Sequence, residues 1–130
     1  LKAMPDGYDL RRQQSTVLLE VAEALLEVDR QLLIVGDFNV TGAKGEPAEQ
    51  EASVLLDELD EILIAARHQE ACTAYWDGER RDAWKEPSTL DWIFVAGLEP
   101  WLGSEPVAKV GAHCAAHRCE PLRSTAAYPE

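Results

Sequence analysis

The run Leu32-Leu33-Ile34-Val35-Gly36-Asp37-Phe38-Asn39-Val40 constrains this chain more than any other stretch. Its four consecutive apolar residues read as a fully buried strand. The run breaks at Gly36, and Asp37 and Asn39 follow two positions apart. Side chains alternate faces along an extended segment, so Asp37 and Asn39 are expected to share one side at the C-terminal end of a central strand. Open α/β sheets place ligands at that end. A carboxylate and an amide there can bind a hard cation and hydrogen-bond a phosphate oxygen. The same two residue types also serve ordinary turns, and on this stretch alone both readings stand.

The 130 residues make at most one domain, long enough for a real core. With 46% apolar and 28% charged residues and no low-complexity segment, a folded globular chain is expected. The sequence opens on Leu1 without an initiator methionine and reads as a processed or excised piece. It shows neither an export leader nor a run long enough to cross a bilayer. The net charge of -12, from 24 acidic and 12 basic residues, suits bulk contact with nucleic acid poorly. A bound divalent metal and a local basic patch can offset that field, so a nucleic-acid substrate is not excluded.

Around the opening strand, periodicity predicts a helix from Asp9 to Asp29-Arg30 with Val17, Leu18, Val21, Leu25 and Val28 as its buried face. A helix feeding directly into an apolar strand predicts an α/β layer packed on both faces. Pro47 suits the first turn of a second helix, buried through Val54, Leu55, Leu59, Ile62 and Leu63, with its many acids on a solvated face. Ala71 to Trp76 is strand-like, Asp77 to Pro87 is a polar loop, and Ser88 to Val95 is the second strong strand. Asp91, inside that apolar run, reads as a buried charge that needs a partner. Pro106 to Val110 is a further short strand, and residues 111–130 form an irregular tail rich in Cys, His, Ala and Pro.

Two separated pieces, Ile34-Val35-Gly36-Asp37-Phe38-Asn39 and Ser88-Thr89-Leu90-Asp91-Trp92-Ile93-Phe94-Val95, together resemble the endonuclease/exonuclease/phosphatase superfamily of DNase I-like metal-dependent phosphodiesterases. Leu1-Lys2 is similar to the end of that family's His-Leu-Lys strand, and Arg12 with Gln13 to the start of the helix after it. Cys72-Thr73-Ala74-Tyr75-Trp76-Asp77-Gly78 resembles the Thr/Trp segment before the second strand. The likeness covers most of residues 1–98. It implies an α/β fold, part of a four-layered sandwich with central strands flanked by helices. Residues 1–130 would then be a single partial domain lacking its N-terminal half and its final strand.

The resemblance also implies roles. Asp37 would bind metal or position the attacking water. Asn39 would hydrogen-bond a non-bridging phosphate oxygen or orient the nucleophile, and Asp91 would orient a catalytic histidine and stabilise its imidazolium. The implied ion is magnesium, with manganese as an alternative, and the implied substrate is a phosphate ester: a nucleic acid, nucleotide, phospholipid or inositol phosphate. Arg80 and Trp84, in the most basic and aromatic loop, join Asn39 as candidate substrate contacts, Trp84 by stacking on a base or entering a lipid surface. Packing within the loop is the competing reading for Trp84. The family's glutamate ligand and its Ser-Asp-His strand have no counterpart here. Neither His113 nor His117 matches that strand, so this piece alone is expected to be inactive. The competing reading is a non-catalytic binding or interaction module on the same scaffold.

The chain has three cysteines, Cys72, Cys114 and Cys119, an odd count. A Cys114–Cys119 disulfide would close a small loop, leave Cys72 as the odd thiol and imply export to an oxidising compartment. Zinc held by His113, Cys114, His117 and Cys119 is a second reading, and neither of these a third.

Overall fold

The structure, a computed structural model, describes residues 8–39, 47–75, 87–98 and 105–123. In chain order its elements are α1 (Tyr8–Val28), β1 (Leu32–Asp37), α2 (Pro47–Ile62), β2 (Ile64–Ala65), β3 (Arg67–His68), β4 (Asp91–Ala96), β5 (Val107–Ala108) and α3 (Ala112–His117). The mixture of helices, an antiparallel sheet and a parallel strand pair makes this a mixed α/β chain. Both long helices and both six-residue strands fall on the stretches where the sequence predicts them, with ends that differ by up to three residues.

The main sheet has the order β1-β4-β2 and is antiparallel throughout. Leu32 and Ile34 of β1 stand opposite Ala96 and Phe94 of β4. These residues face the helices and join a core built on Phe38, Leu55, Leu59, Leu63 and Phe94, with Leu18, Leu19 and Leu26 of α1 against it. Phe38 meets Phe94 edge to face at 5.6 Å between ring centroids. The other face carries Leu33, Val35 and Asp37 opposite Val95, Ile93 and Asp91.

That second face corrects the expectation of a fully buried strand flanked on both sides. Leu33 is 55% and Val35 61% exposed, because α1 and α2 both pack on the opposite face. The open-sheet argument for a ligand site at a parallel strand end also lapses, since β1 runs antiparallel to its neighbour.

The predicted buried face of α1 is likewise corrected. Of its five residues only Leu18 packs inward, while Val17, Val21, Leu25 and Val28 are exposed, Val28 at 87%. The helix carries two apolar stripes at helical spacing, and Leu18, Leu19, Ala22 and Leu26 form the inner one. Periodicity detects a stripe but cannot choose between two. The outer stripe borders an open trough lined by Leu10, Gln13, Gln14, Val17, Leu18 and Val21. Val21→Gln is therefore expected to change stability by no more than about 0.5 kcal/mol, as surface substitutions do. A urea titration showing a loss above about 2 kcal/mol, the scale of core truncation, would restore the buried assignment.

Helix α2 meets its expectation at Leu55, Leu59 and Leu63, all buried, and at the half-buried Ile62; Val54 lies outside the described side chains. Asp57, Glu58, Asp60 and Glu61 are exposed, as a solvated face requires. After α2 the chain makes two very short strands that the sequence did not announce, at Ile64–Ala65 and Arg67–His68. Gly97 closes β4 with φ +65°, and a Cβ there would collide with the Arg30 carbonyl, so this position accepts only glycine. Residues 71–75 do not form the expected strand. They make one isolated bridge, Ala74 to Ser88, and β4 begins at Asp91 rather than Ser88.

The expected irregular tail holds a helix, α3, and a second core of Cys72, Tyr75, Cys114 and Leu122, with Val110 and Cys119 packed against it. The disulfide joins Cys72 to Cys119, with 5.6 Å between Cα atoms, and Cys114 is the buried free thiol. This corrects the Cys114–Cys119 pairing. Left-handed backbone at Arg118 and Cys119 turns the chain as α3 ends, and Cys119 meets Cys72 while Cys114 stays in the core. The bridge spans 47 positions, which removes about 4 kcal/mol of chain entropy from the unfolded state in the loop-closure picture. It also consumes one of the four zinc ligands. Among the described residues no group of three or more His, Cys, Asp or Glu is arranged to hold a metal. No described helix is long and apolar enough to cross a membrane.

Candidate metal and phosphate site

Strand register brings the two aspartates singled out in the sequence together. Asp37, the last residue of β1, stands directly opposite Asp91, the first of β4. The next pair outward is hydrogen-bonded, with the Phe38 N–H donating to the Leu90 carbonyl at 2.8 Å. Antiparallel ladders alternate, so Asp37 and Asp91 form a non-hydrogen-bonded pair, the closer kind, with Cα atoms typically about 4.5 Å apart. Both side chains leave the sheet on the face away from the helices, and both residues are exposed. Asp91 is therefore not the buried charge the sequence suggested. It opens its strand at the exposed end of a face that is buried further along at Val95, and water solvates it there.

Asp91 is held from behind. Its N–H donates to Thr73 Oγ1 at 3.0 Å, and the Leu90 N–H donates to the same oxygen at 2.9 Å. One hydroxyl thus accepts two backbone donors, the full acceptor capacity of that oxygen. The Asp91 carbonyl lies 2.8 Å from His68 Nε2, which donates when it carries the proton. The His68 ring stands edge-on to Trp92 at 5.0 Å. Sequence reasoning passed over His68 and gave Thr73 no role. The His68 imidazole meets the Asp91 backbone, so it is not the carboxylate-paired histidine that the resemblance implies.

Asp37 and Asn39 are also brought together, by a different device from the one expected. The strand ends at Asp37, and Asn39 has φ 51°, so the two do not alternate along an extended segment. Instead the Asn39 N–H donates to Asp37 Oδ1 at 2.8 Å, closing a side-chain-to-backbone turn. Asparagine tolerates the left-handed region better than other residues with a Cβ, which accounts for its place there. Arg80 and Trp84 lie outside the described residues.

Two like charges facing each other across a strand pair repel. A hard cation at this end of the sheet would relieve that repulsion, and the donors present are oxygens, the type magnesium selects. Magnesium commonly uses only one or two carboxylates and completes its shell with water and substrate phosphate, which fits a pair of this kind.

Behind the aspartates lies the disulfide core. Burial raises the Cys114 thiol pKa, and the negative charge of Asp91 raises it further. Tyr75 is shifted up by burial, then by Cys114 and Glu120, and its hydroxyl donates to the Glu120 carbonyl at 2.9 Å. His113 and His117 sit with ring centroids 4.3 Å apart. Desolvation, and then the neighbouring His117, lower the His113 pKa below its ordinary value of about 6.5. Below pH 6.5 the unfolded chain therefore binds more protons than the folded one at this position, so stability falls as pH drops through that window. The Tm should decrease between about pH 7.5 and 5.5, less steeply in His113→Gln. Equal slopes in the two proteins would remove His113 as the cause.

No protein-family model, no characterised protein and no solved structure matches this chain.

Proposed function

We propose that this chain belongs to a magnesium-dependent phosphoester hydrolase of the endonuclease/exonuclease/phosphatase type and carries one side of its active site, on strands of a four-layered α/β sandwich. The observation that carries the reading is the placement of Asp37 opposite Asp91, both exposed at one end of the sheet, with Asn39 tied to Asp37. Phosphoester hydrolysis needs neutralisation of developing negative charge and donors aimed at the non-bridging oxygens. In this reading the bound metal supplies the charge neutralisation. Asp37 holds it or orients water, the Asn39 amide donates to a phosphate oxygen, and Asp91 positions a histidine and stabilises its protonated form. The substrate is a phosphate ester, and Arg80 and Trp84 are its proposed outer contacts.

The turn hydrogen bond between Asp37 and Asn39 favours a second reading, a non-catalytic binding module in which these residues only shape the strand end. A manganese titration followed by NMR separates the two. Under the hydrolase reading, paramagnetic broadening reaches the amides of Asp37, Asn39 and Asp91 first and is lost from them in Asp37→Ala. Broadening that instead starts along the acidic face of α2 would point to the module.

A further inference from the structure

We propose that the three cysteines form a thiol–disulfide exchange switch in which Cys114 displaces Cys72 from Cys119, and that this exchange releases the segment that clamps Asp91. The inference is independent of the chemistry proposed for the aspartates. Cys72 and Cys114 are buried in one cluster, with Cys119 packed against it. Cys114 is a free thiol, and Cys72 and Cys119 are bonded. The Cys119 N–H donates to the Cys114 carbonyl at 3.2 Å, so their backbones already touch.

The step balances without an outside oxidant or reductant. Cys114 loses its proton to solvent, and its sulfur attacks Cys119 Sγ. The Cys114–Cys119 bond forms, the Cys72–Cys119 bond breaks, and Cys72 leaves as a thiolate that takes up a proton. One disulfide and one thiol exist before and after.

Two features set the rate of the exchange. In the folded chain Cys114 is buried in the second core, which keeps its thiol away from solvent and base. Against this, α3 is only six residues long and ends on two consecutive non-glycine residues in the left-handed region, Arg118 at φ 53° and Cys119 at φ 55°. Short helices closed by strained residues open first, and opening here exposes the thiol beside its target. The consequence reaches the aspartates because Thr73, next to Cys72, accepts the Leu90 and Asp91 N–H groups. With the bridge moved into the tail, that clamp loses its covalent tie to α3.

Trypsin cuts after Arg118 and so separates Cys114 from Cys119, which makes the pairing directly readable. The oxidised protein is held at about pH 8.5 in mild urea without added thiol, alkylated in acid with N-ethylmaleimide, and mapped unreduced. The expected result is a Cys114 peptide joined to a Cys119 peptide, with Cys72 alkylated. Its rate should be independent of protein concentration and rise about tenfold per pH unit below the thiol pKa. Cys114→Ser should yield the Cys72–Cys119 pair alone. Finding only Cys72–Cys119 in the wild-type protein after prolonged incubation overturns the exchange. For the coupling, amide hydrogen exchange at Leu90 and Asp91 should be at least about tenfold faster in Cys72→Ser than in the wild-type protein, and unchanged protection overturns it.

Discussion

Asp37→Ala is expected to lower kcat/KM for magnesium-dependent phosphoester hydrolysis by the full-length protein by on the order of a hundredfold or more, with a loss of stability of no more than about 1 kcal/mol. The two halves of that statement have separate causes. Under the proposed mechanism the rate would fall because this carboxylate would hold the hard cation that neutralises charge developing only in the transition state. Stability is spared because Asp37 is exposed and faces Asp91, so truncation removes a like-charge contact. The lost turn hydrogen bond to Asn39 works the other way, at about 1 kcal/mol or less, since it is exposed to water. Asp91→Ala should behave in the same manner, its backbone still anchored on Thr73. A variant that loses activity only in proportion to unfolded protein would mean that Asp37 has a structural role alone. Steady-state kinetics paired with a thermal melt on the same sample separates these outcomes.

Phe94→Ala should have the largest effect on the fold, about 3–5 kcal/mol of stability. Phe94 is 0% exposed and lies in the core beneath both helices. It meets Phe38 edge to face, and its ring lies 6.1 Å from that of Trp92. Removing it leaves a cavity among Phe38, Leu55, Leu59 and Leu63, which the rigid strand pair cannot collapse to fill. The damage would also spread to the candidate site, because Phe38 is the residue between Asp37 and Asn39. Urea titration of the variant measures the loss directly, and a change below about 1 kcal/mol would show that the core is organised elsewhere.

Much of this architecture was legible in the residues, and the failures have identifiable causes. Both long helices and both principal strands follow from apolar period, from Pro47 as a helix start and from Gly97 as a strand end. The pairing of β1 with β4 follows from no period within either segment, and it is this pairing that brings Asp37 and Asp91 together. What the sequence could not give was which side of each element is covered. Helix α1 carries two apolar stripes, and β1 is apolar on both faces while covered on one. The two-residue strands at Ile64–Ala65 and Arg67–His68 are too short for any period to register. Thr73 and His68 escaped because their role is to hold the Asp91 backbone, which depends on tertiary contact alone. The cysteine pairing was missed for the same reason. Proximity in sequence favoured Cys114 with Cys119, and the fold brings Cys72 to Cys119 from 47 positions away.

The central claim, a hard-cation phosphoester site at the Asp37–Asp91 strand end, is tested most directly by metal-dependent turnover. Purified full-length protein is stripped with EDTA and given bis(p-nitrophenyl) phosphate and p-nitrophenyl phosphate, then resupplied with magnesium or manganese. Our account predicts no hydrolysis without metal, recovery with either ion, and no recovery in Asp37→Ala. Hydrolysis that persists in EDTA, or that returns equally in Asp37→Ala, would contradict it.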